Sequence, residues 1–309
     1  MFGLIKRQDG EALQNLSSLR RTMPFIMPGR NESAFYWEQT LDVTNILAFL
    51  QEKNADGAAN KLGFFHILMA ALVRAVAKRP HLNRFVSGGK LYRRKEIAIS
   101  FAVKKQMADD ANMTAMKVVF EPTDTLAQVV QRMSDAISAG RNKKLTTSEK
   151  EMALVGMLPG FLVRALVWLQ RALDSVNLLP AAMTKNDPLY ATMFVANLGS
   201  VGVDAPFHHL YEYGTVPIFA AIGKIHKAPV VDKNGQIVAR DVVKIRYTID
   251  ERIEDGFYFA RSFDLFEEML QNPHLLEQVD GTPQESSARV RNIDTQVDAA
   301  FSRADGLST

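Results

Sequence analysis

Acid and base chemistry in this chain gathers at one place. Asp250, Glu251, Arg252, Ile253, Glu254, Asp255 and Gly256 put four carboxylates and one guanidinium within six positions, directly after an alternating apolar stretch. A glutamate acts as a general base only if its pKa rises from about 4.3. Desolvation and neighbouring carboxylates both push in that direction. The other arrangement open to Glu251 is an ion pair with Arg252 or a more distant arginine, because structural pairs also perturb carboxylates. A second candidate is His208-His209 in APFHHLYEYG, for which packing or an interface is the alternative role. His66 falls inside an apolar helical stretch, His81 follows a helix stop and His226 lies at a strand end. No His-x-x-x-His spacing occurs, so a metal site is not expected. There is no cysteine, which excludes thiolate ligands, a thiol nucleophile and disulfides. GKIHK and SGGK lack the spacing of a phosphate loop and read as turns.

Those residues need elements to hold them. Ser33 to Val43 alternates with period two, with Phe35, Trp37, Leu41 and Val43 on one side, as in a half-buried strand. Thr44 then starts a helix. GFFHILMAALVRAVAKR, stopped by Pro80, is apolar nearly all round and predicts a helix buried against a sheet. Strands are expected at 90–93, 96–103 and 113–120, then a helix capped by Thr123 or Asp124 that runs to about Ser138 and ends at Gly140. Tyr190 to Asn197, Val216 to Ile222 and a hairpin about Asn234-Gly235 supply further strands, and a last helix spans about Phe257 to Leu270.

With 309 residues and 47% hydrophobic composition the chain can bury a substantial core. A formal charge of +3, with basic residues scattered among acids, does not point to nucleic acid. Lys6, Arg7 and Asp9 interrupt any signal-peptide core, so the cytoplasm is the expected compartment. Met152 to Met183 is apolar but broken by Pro159, Arg164, Arg171, Asp174 and Pro180, which argues against a transmembrane segment.

The hairpin and the segment TIDERIEDGFYFARSFDLFEEMLQNP resemble the C-terminal region of dihydrolipoamide acyltransferase catalytic domains, where a strand ends in Asp-His-Arg-x-x-Asp-Gly and a helix follows. FVANLGSVG looks like the Ser-Asn-Leu-Gly segment of that family, and PIFAAIGKI like its next strand. Asp42-Val43-Thr44, RPHLNRF and EIAISFAV occur in the family's order, so the likeness runs over roughly 20–273. It implies an α/β fold of the chloramphenicol acetyltransferase type, a sheet covered by helices, in a homotrimer with each channel at a subunit interface. The expected division is an N-terminal segment 1–19, the acyltransferase-like domain 20–281 with an apolar helical insertion at 152–183, and a flexible tail 282–309. No lipoyl or peripheral-subunit-binding segment is recognised, so a swinging arm within the chain is not expected.

In such enzymes the motif histidine deprotonates a thiol or hydroxyl that attacks an acyl thioester, while a serine stabilises the oxyanion. Here the histidine position holds Glu251 and the serine position holds Ala196, beside Asn197 and Ser200 on the substrate side. Glu251, with His208 and His209, is the candidate for the chemistry. Proton transfer from a thiol of pKa about 8.5 to an unperturbed glutamate is uphill by roughly 5.7 kcal/mol. The resemblance makes Arg252, Asp255 and Gly256 scaffolding, with Asp255 paired to Arg20 or Arg21 and Gly256 permitting a tight turn. Coenzyme A or an acyl-coenzyme A is the implied substrate, and Lys224, Lys227 and Lys233 either meet its phosphates or form a solvated surface. Two functions follow: handling of an acyl group on coenzyme A or a related thioester, or a catalytically silent trimeric scaffold that binds an acyl ligand or a partner protein. The insertion is either added core or trimer packing, or a lid or interfacial helix meeting an acyl chain or a membrane surface.

Overall fold

The computed structural model describes residues 6–55, 61–104, 113–142, 155–232 and 234–279. Lys233 and the tail 282–309 lie outside them. The elements below belong to one compact unit, Met1–Glu277.

The longest strand organises the sheet. Among the described residues ten strands run β1 (Gly10–Ala12), β2 (Ala34–Asp42), β3 (Arg84–Ser87), β4 (Lys90–Arg94), β5 (Ile97–Lys104), β6 (Met113–Phe120), β7 (Met193–Asn197), β8 (Ile218–Ile222), β9 (His226–Val231) and β10 (Ile237–Asp250). β10 pairs antiparallel with β2 along one side, and with β9 and then β8 along the other. The main sheet has the order β2-β10-β8-β7-β5-β6, with β7 parallel to both neighbours. A separate antiparallel sheet has the order β1-β4-β3.

Side-chain alternation along these strands makes two cores. Ile245, Tyr247 and Ile249 of β10 point to the same face as Ile218, Ala220 and Ile222 of β8, into the larger core. That face is covered by α2 (Thr44–Lys53), α3 (Phe64–Lys78), α4 (Leu126–Asn142) and α7 (Gly256–Gln271). α3 is the buried helix its composition predicts, with an unbroken buried run from Ile67 to Val76. Each fully buried large aliphatic side chain there contributes about 1.5–3 kcal/mol. On the opposite face Phe194, Phe219, Ala98 and Ala221 form a smaller core beneath Ala205, Leu210 and Val216. Trp37 follows its predicted parity and stacks on Phe263 at 5.4 Å between ring centroids.

β7 and β8 start at Met193 and Ile218, later than the expected Tyr190 and Val216, and α4 differs from expectation at both ends. α4 continues through Gly140 to Asn142. Its N-terminus is capped by neither Thr123 nor Asp124: Thr125 Oγ1 accepts from Gln128 N at 3.4 Å while Gln128 Oε1 accepts from Thr125 N at 2.8 Å, a reciprocal capping box. Asp124 instead turns back to accept from Glu121 N at 2.8 Å. The remaining helices are α1 (Ser18–Ile26), α5 (Gly160–Ser175) and α6 (Ala181–Lys185).

A buried charge cluster ties the small sheet to α5. Arg7 meets Asp9 at 2.6 Å and Asp174 at 2.8 Å, Arg94 meets Asp9 at 3.2 Å, and Ser87 Oγ donates to Asp174 Oδ2 at 2.8 Å. Arg94 also donates to Thr215 Oγ1 at 2.9 Å. Removing one member leaves an uncompensated charge out of water. Asp174→Ala is therefore expected to cost about 3 kcal/mol, read as a lowered urea midpoint with unchanged slope; a loss below about 1 kcal/mol would show that the cluster does not hold α5.

Candidate functional site

The end of β10 is fixed from beneath. Asp250 has no exposed surface, and Arg252 reaches back to it with Nε to Oδ1 at 2.8 Å and Nη2 to Oδ2 at 2.7 Å. Ser33 Oγ donates to Asp250 Oδ1 at 3.0 Å, and Arg252 Nη1 donates to the carbonyls of Met27 and Pro28 at 2.8 and 2.9 Å. Arg252 thus pairs with Asp250, and the ion pair between Glu251 and Arg252 that the sequence allowed does not form. A fork of parallel bonds to a buried carboxylate is the stronger option for the guanidinium.

Glu251 is held by its backbone at both ends. Its N–H donates to Ser33 O at 2.9 Å, and its carbonyl accepts from Arg20 Nη1 at 2.9 Å. The half-buried side chain has no hydrogen bond or ion pair among the described residues.

The carboxylate that takes the arginines is Glu254. It meets Arg20 at 2.9 Å and His81 Nδ1 at 2.6 Å, and accepts a further charged hydrogen bond from Arg84. Burial alone would raise its pKa, but the contacts with His81, Arg20 and Arg84 outweigh it and bring the group down to about 2. Asp255 was expected to pair with Arg20 or Arg21. It is largely exposed and lies 3.9 Å from Arg20, and its Oδ1 caps α7 by accepting from Tyr258 N at 2.9 Å. The Arg21 side chain bonds only the carbonyl of Leu16, at 3.3 Å, among the described residues. Gly256 has no positive φ, and a Cβ there would meet nothing within 4 Å, so the turn into α7 does not require glycine.

The residues expected on the substrate side sit elsewhere. Asn197 ends β7, where its Oδ1 accepts from Ser200 N at 3.2 Å and Ser200 Oγ donates back to Asn197 O at 2.7 Å. Asn197 lies beside Ile222 and Ala196 beside Ala221, while Glu251 follows the residue pair Ile249 and Ile218 at the other end of β8. About 13 Å of strand separates the two ends. One chain therefore does not bring Glu251 together with Ala196, Asn197 and Ser200. The histidine loop crosses between them on the outer face. The hydroxyl of Thr248 donates to His208 O, and the His208 ring stacks on Phe219 at 3.9 Å. Burial lowers the His208 pKa. His209 Nδ1 lies 3.0 Å from Leu210 O. Lys227 pairs with Asp241 at 3.1 Å and is turned to solvent.

Sequence reasoning placed His81 only after a helix stop and passed over Arg84 and Tyr258. His81 stacks on Tyr258 at 4.6 Å, and its backbone N–H donates to the Tyr258 hydroxyl at 3.1 Å. His81 lies in the 3-10 turn Pro80–Asn83 and Arg84 follows that turn as the first residue of β3, and both reach Glu254.

Because the Glu254 pKa is lowered on folding, its stabilisation is complete above about pH 4.5 and is lost as pH falls toward 2. Glu254→Gln is expected to cost about 2 kcal/mol at neutral pH, less than the full shift implies because water reaches the cluster past His81. The gap from the unmodified protein should close as pH falls through that range. Asp255→Ala should cost about 1 kcal/mol, the loss of a cap. Urea midpoints measured across pH check both, and the reverse ranking would reassign the arginine-binding role to Asp255.

The family model for 2-oxoacid dehydrogenases acyltransferase (catalytic domain) matches residues 9–153 and 180–277. The lipoamide acyltransferase component of the branched-chain alpha-keto acid dehydrogenase complex of Bacillus subtilis is 24% identical over 237 residues, covering 75% of this chain and 45% of that protein. The chain thus spans less than half the length of that relative. A probable dihydrolipoamide acetyltransferase from Listeria monocytogenes has a similar fold, with a TM-score of 0.56 at 16% identity over 84% of this chain and 94% of that one. The dihydrolipoamide acetyltransferase of Azotobacter vinelandii gives a TM-score of 0.55 at 18% identity over 85% and 94% of the two chains. With the matched segments covering most of the chain and the strand order built around the Glu251 turn, this protein belongs to the family of 2-oxoacid dehydrogenase acyltransferase catalytic domains.

Proposed function

We propose that this protein handles an acyl group carried as a thioester on coenzyme A or a related thiol, at a site where Glu251 stands in the place of the family's histidine. The observation that carries the reading is the state of Glu251: its backbone is clamped by Ser33 and Arg20, while its carboxylate is left without a partner among the described residues. The surrounding charges are absorbed by Asp250 and Glu254, so the carboxylate is available to a ligand.

As a base, Glu251 would take the proton of an acceptor thiol or hydroxyl as the acceptor attacks the thioester carbonyl. The tetrahedral intermediate then expels the donor thiolate, which recovers the proton, so charge and protons balance. Ala196 has no hydroxyl to offer the oxyanion, and backbone N–H groups or Asn197 would have to serve. Since Asn197 and Glu251 lie at opposite ends of β8, the complete site needs two copies of the chain. That supports a homotrimer with its sites between subunits. The cytoplasm is the compartment this reading assigns. The second reading, a trimeric scaffold that binds an acyl ligand or a partner without chemistry, is favoured by Ala196 and Glu251 both departing from the family pattern.

Thiol release from a panel of acyl-coenzyme A donors tests the chemistry. Turnover that falls by about a hundredfold in Glu251→Ala supports it, and Glu251→His with Ala196→Ser should raise transfer by a similar factor. Coenzyme A binding without turnover in the original chain or the double variant would establish the scaffold reading. Light scattering should give three times the 34.5 kDa chain mass, and a stable monomer would remove the shared site.

A further inference from the structure

The family model passes over residues 154–179, the stretch that contains α5. This helix touches the body along one face only. Asp174 pairs with Arg7, Gln170 donates to the hydroxyl of Tyr213, and Val163 falls on the same side, two turns before Gln170 and three before Asp174. The opposite side is apolar and open: Phe161 is 71% exposed, Trp168 69% and Leu169 48%.

The open surface extends beyond the helix. A Cβ on Gly88 would stand 1.9 Å from Ser175 O, and one on Gly89 would stand 2.9 Å from the Phe25 ring. The turn between β3 and β4 is therefore wedged between the end of α5 and α1, which places Phe25 and Ile26, 69% and 68% exposed, beside it. Apolar area on this scale marks a contact surface.

Charge decides what the contact is. From Val155 to Leu178 the only acid is Asp174, and it is buried in its pair with Arg7. Arg164 and Arg171 are exposed on the flank of the apolar face and have no ion pair or hydrogen bond among the described residues. They stand two turns apart, about 10 Å along the axis. Against a second copy of this face, arginines would meet arginines. Against lipid they would meet phosphate while Phe161, Trp168 and Leu169 enter the acyl boundary. No helix among the described residues is long and apolar enough to cross a membrane, and α5 carries two arginines within its 16 residues.

We infer that α5 docks this protein onto an anionic lipid surface, lying in the plane of the interface with Phe161 and Trp168 inserted and Arg164 and Arg171 at the level of the phosphates. Asp174 and Gln170 hold the helix to the body in that orientation. The inference does not depend on the chemistry at Glu251.

Sedimentation of the full chain with vesicles tests it, using phosphatidylcholine alone and phosphatidylcholine mixed equally with phosphatidylglycerol. The chain should sediment with the mixed vesicles and, in a Trp37→Phe background, Trp168 fluorescence should shift to the blue. Phe161→Ser with Trp168→Ser should weaken partitioning at least about tenfold, and Arg164→Gln with Arg171→Gln should remove the preference for anionic vesicles. Circular dichroism and thioester turnover without vesicles should be unchanged in both variants. Three results would overturn the inference: no binding to either vesicle, binding unaffected by the Phe161 and Trp168 changes, or a loss of oligomer mass in that variant, which would make the face an interface between copies.

Discussion

Taking a carboxylate fully out of water costs several kcal/mol unless a cation and hydrogen bonds replace the solvent, and the end of β10 is arranged around meeting that cost for Asp250. Arg252 supplies the cation through two parallel bonds, and Ser33 supplies a further hydrogen bond. Arg252 can reach back to a residue two positions earlier only if the chain turns sharply after the strand. That turn sets Glu251 at its outer edge and delivers Glu254 to the opposite side. The same guanidinium bonds Met27 and Pro28 and so fixes the segment that leads from α1 into β2. One buried pair thus registers the end of β10 against the segment that enters β2.

Glu254 then organises the next layer. Arg20, Arg84 and His81 converge on it from the N-terminal helix and from the turn after α3, and Arg20 uses its other nitrogen to hold the Glu251 carbonyl. With Asp250 and Glu254 claiming the nearby cations, Glu251 is the carboxylate of the motif that stays uncommitted without being fully exposed. The backbone beneath this free side chain is held rigidly, and the supporting bonds limit how far the carboxylate can wander. The outer face of the sheet shows the complementary economy: small residues such as Ala98 and Ala221 let the 205–214 segment lie close over Phe194 and Phe219, and His208 stacks into that layer.

The insertion is fastened by the same physics. Asp174 shares a buried network with Arg7, Asp9 and Arg94, so the attachment of α5 is electrostatic and specific on one side. Its other side carries large apolar residues that the described residues leave exposed. A helix built this way has been given a fixed orientation, and a fixed orientation matters only if something meets its outer face.

How much of this was legible before the structure depends on whether the signal is local. The alternation from Phe35 to Val43, the run from Ile67 to Val76, apolar except for Arg74, and the Asn234-Gly235 turn are properties of neighbouring residues, and each corresponds to an observed element. The ordered motifs carried the family, and with it the sheet covered by helices. The motif also marked Glu251, and the expected pairing of Asp255 with Arg20 is present at 3.9 Å, but Glu254 takes that arginine more closely, at 2.9 Å, while Asp255 also caps α7, because direction out of a turn depends on backbone angles that sequence spacing does not specify. The roles of His81 and Arg84 were missed since their partner lies 173 and 170 residues away. That Asn197 and Glu251 stand at opposite ends of β8 is a matter of strand direction. The sequence by itself determined the elements, the family and the residue types available for chemistry. Only the tertiary structure decided which charges neutralise one another and which are left over, since that choice is made by distances between segments far apart along the chain.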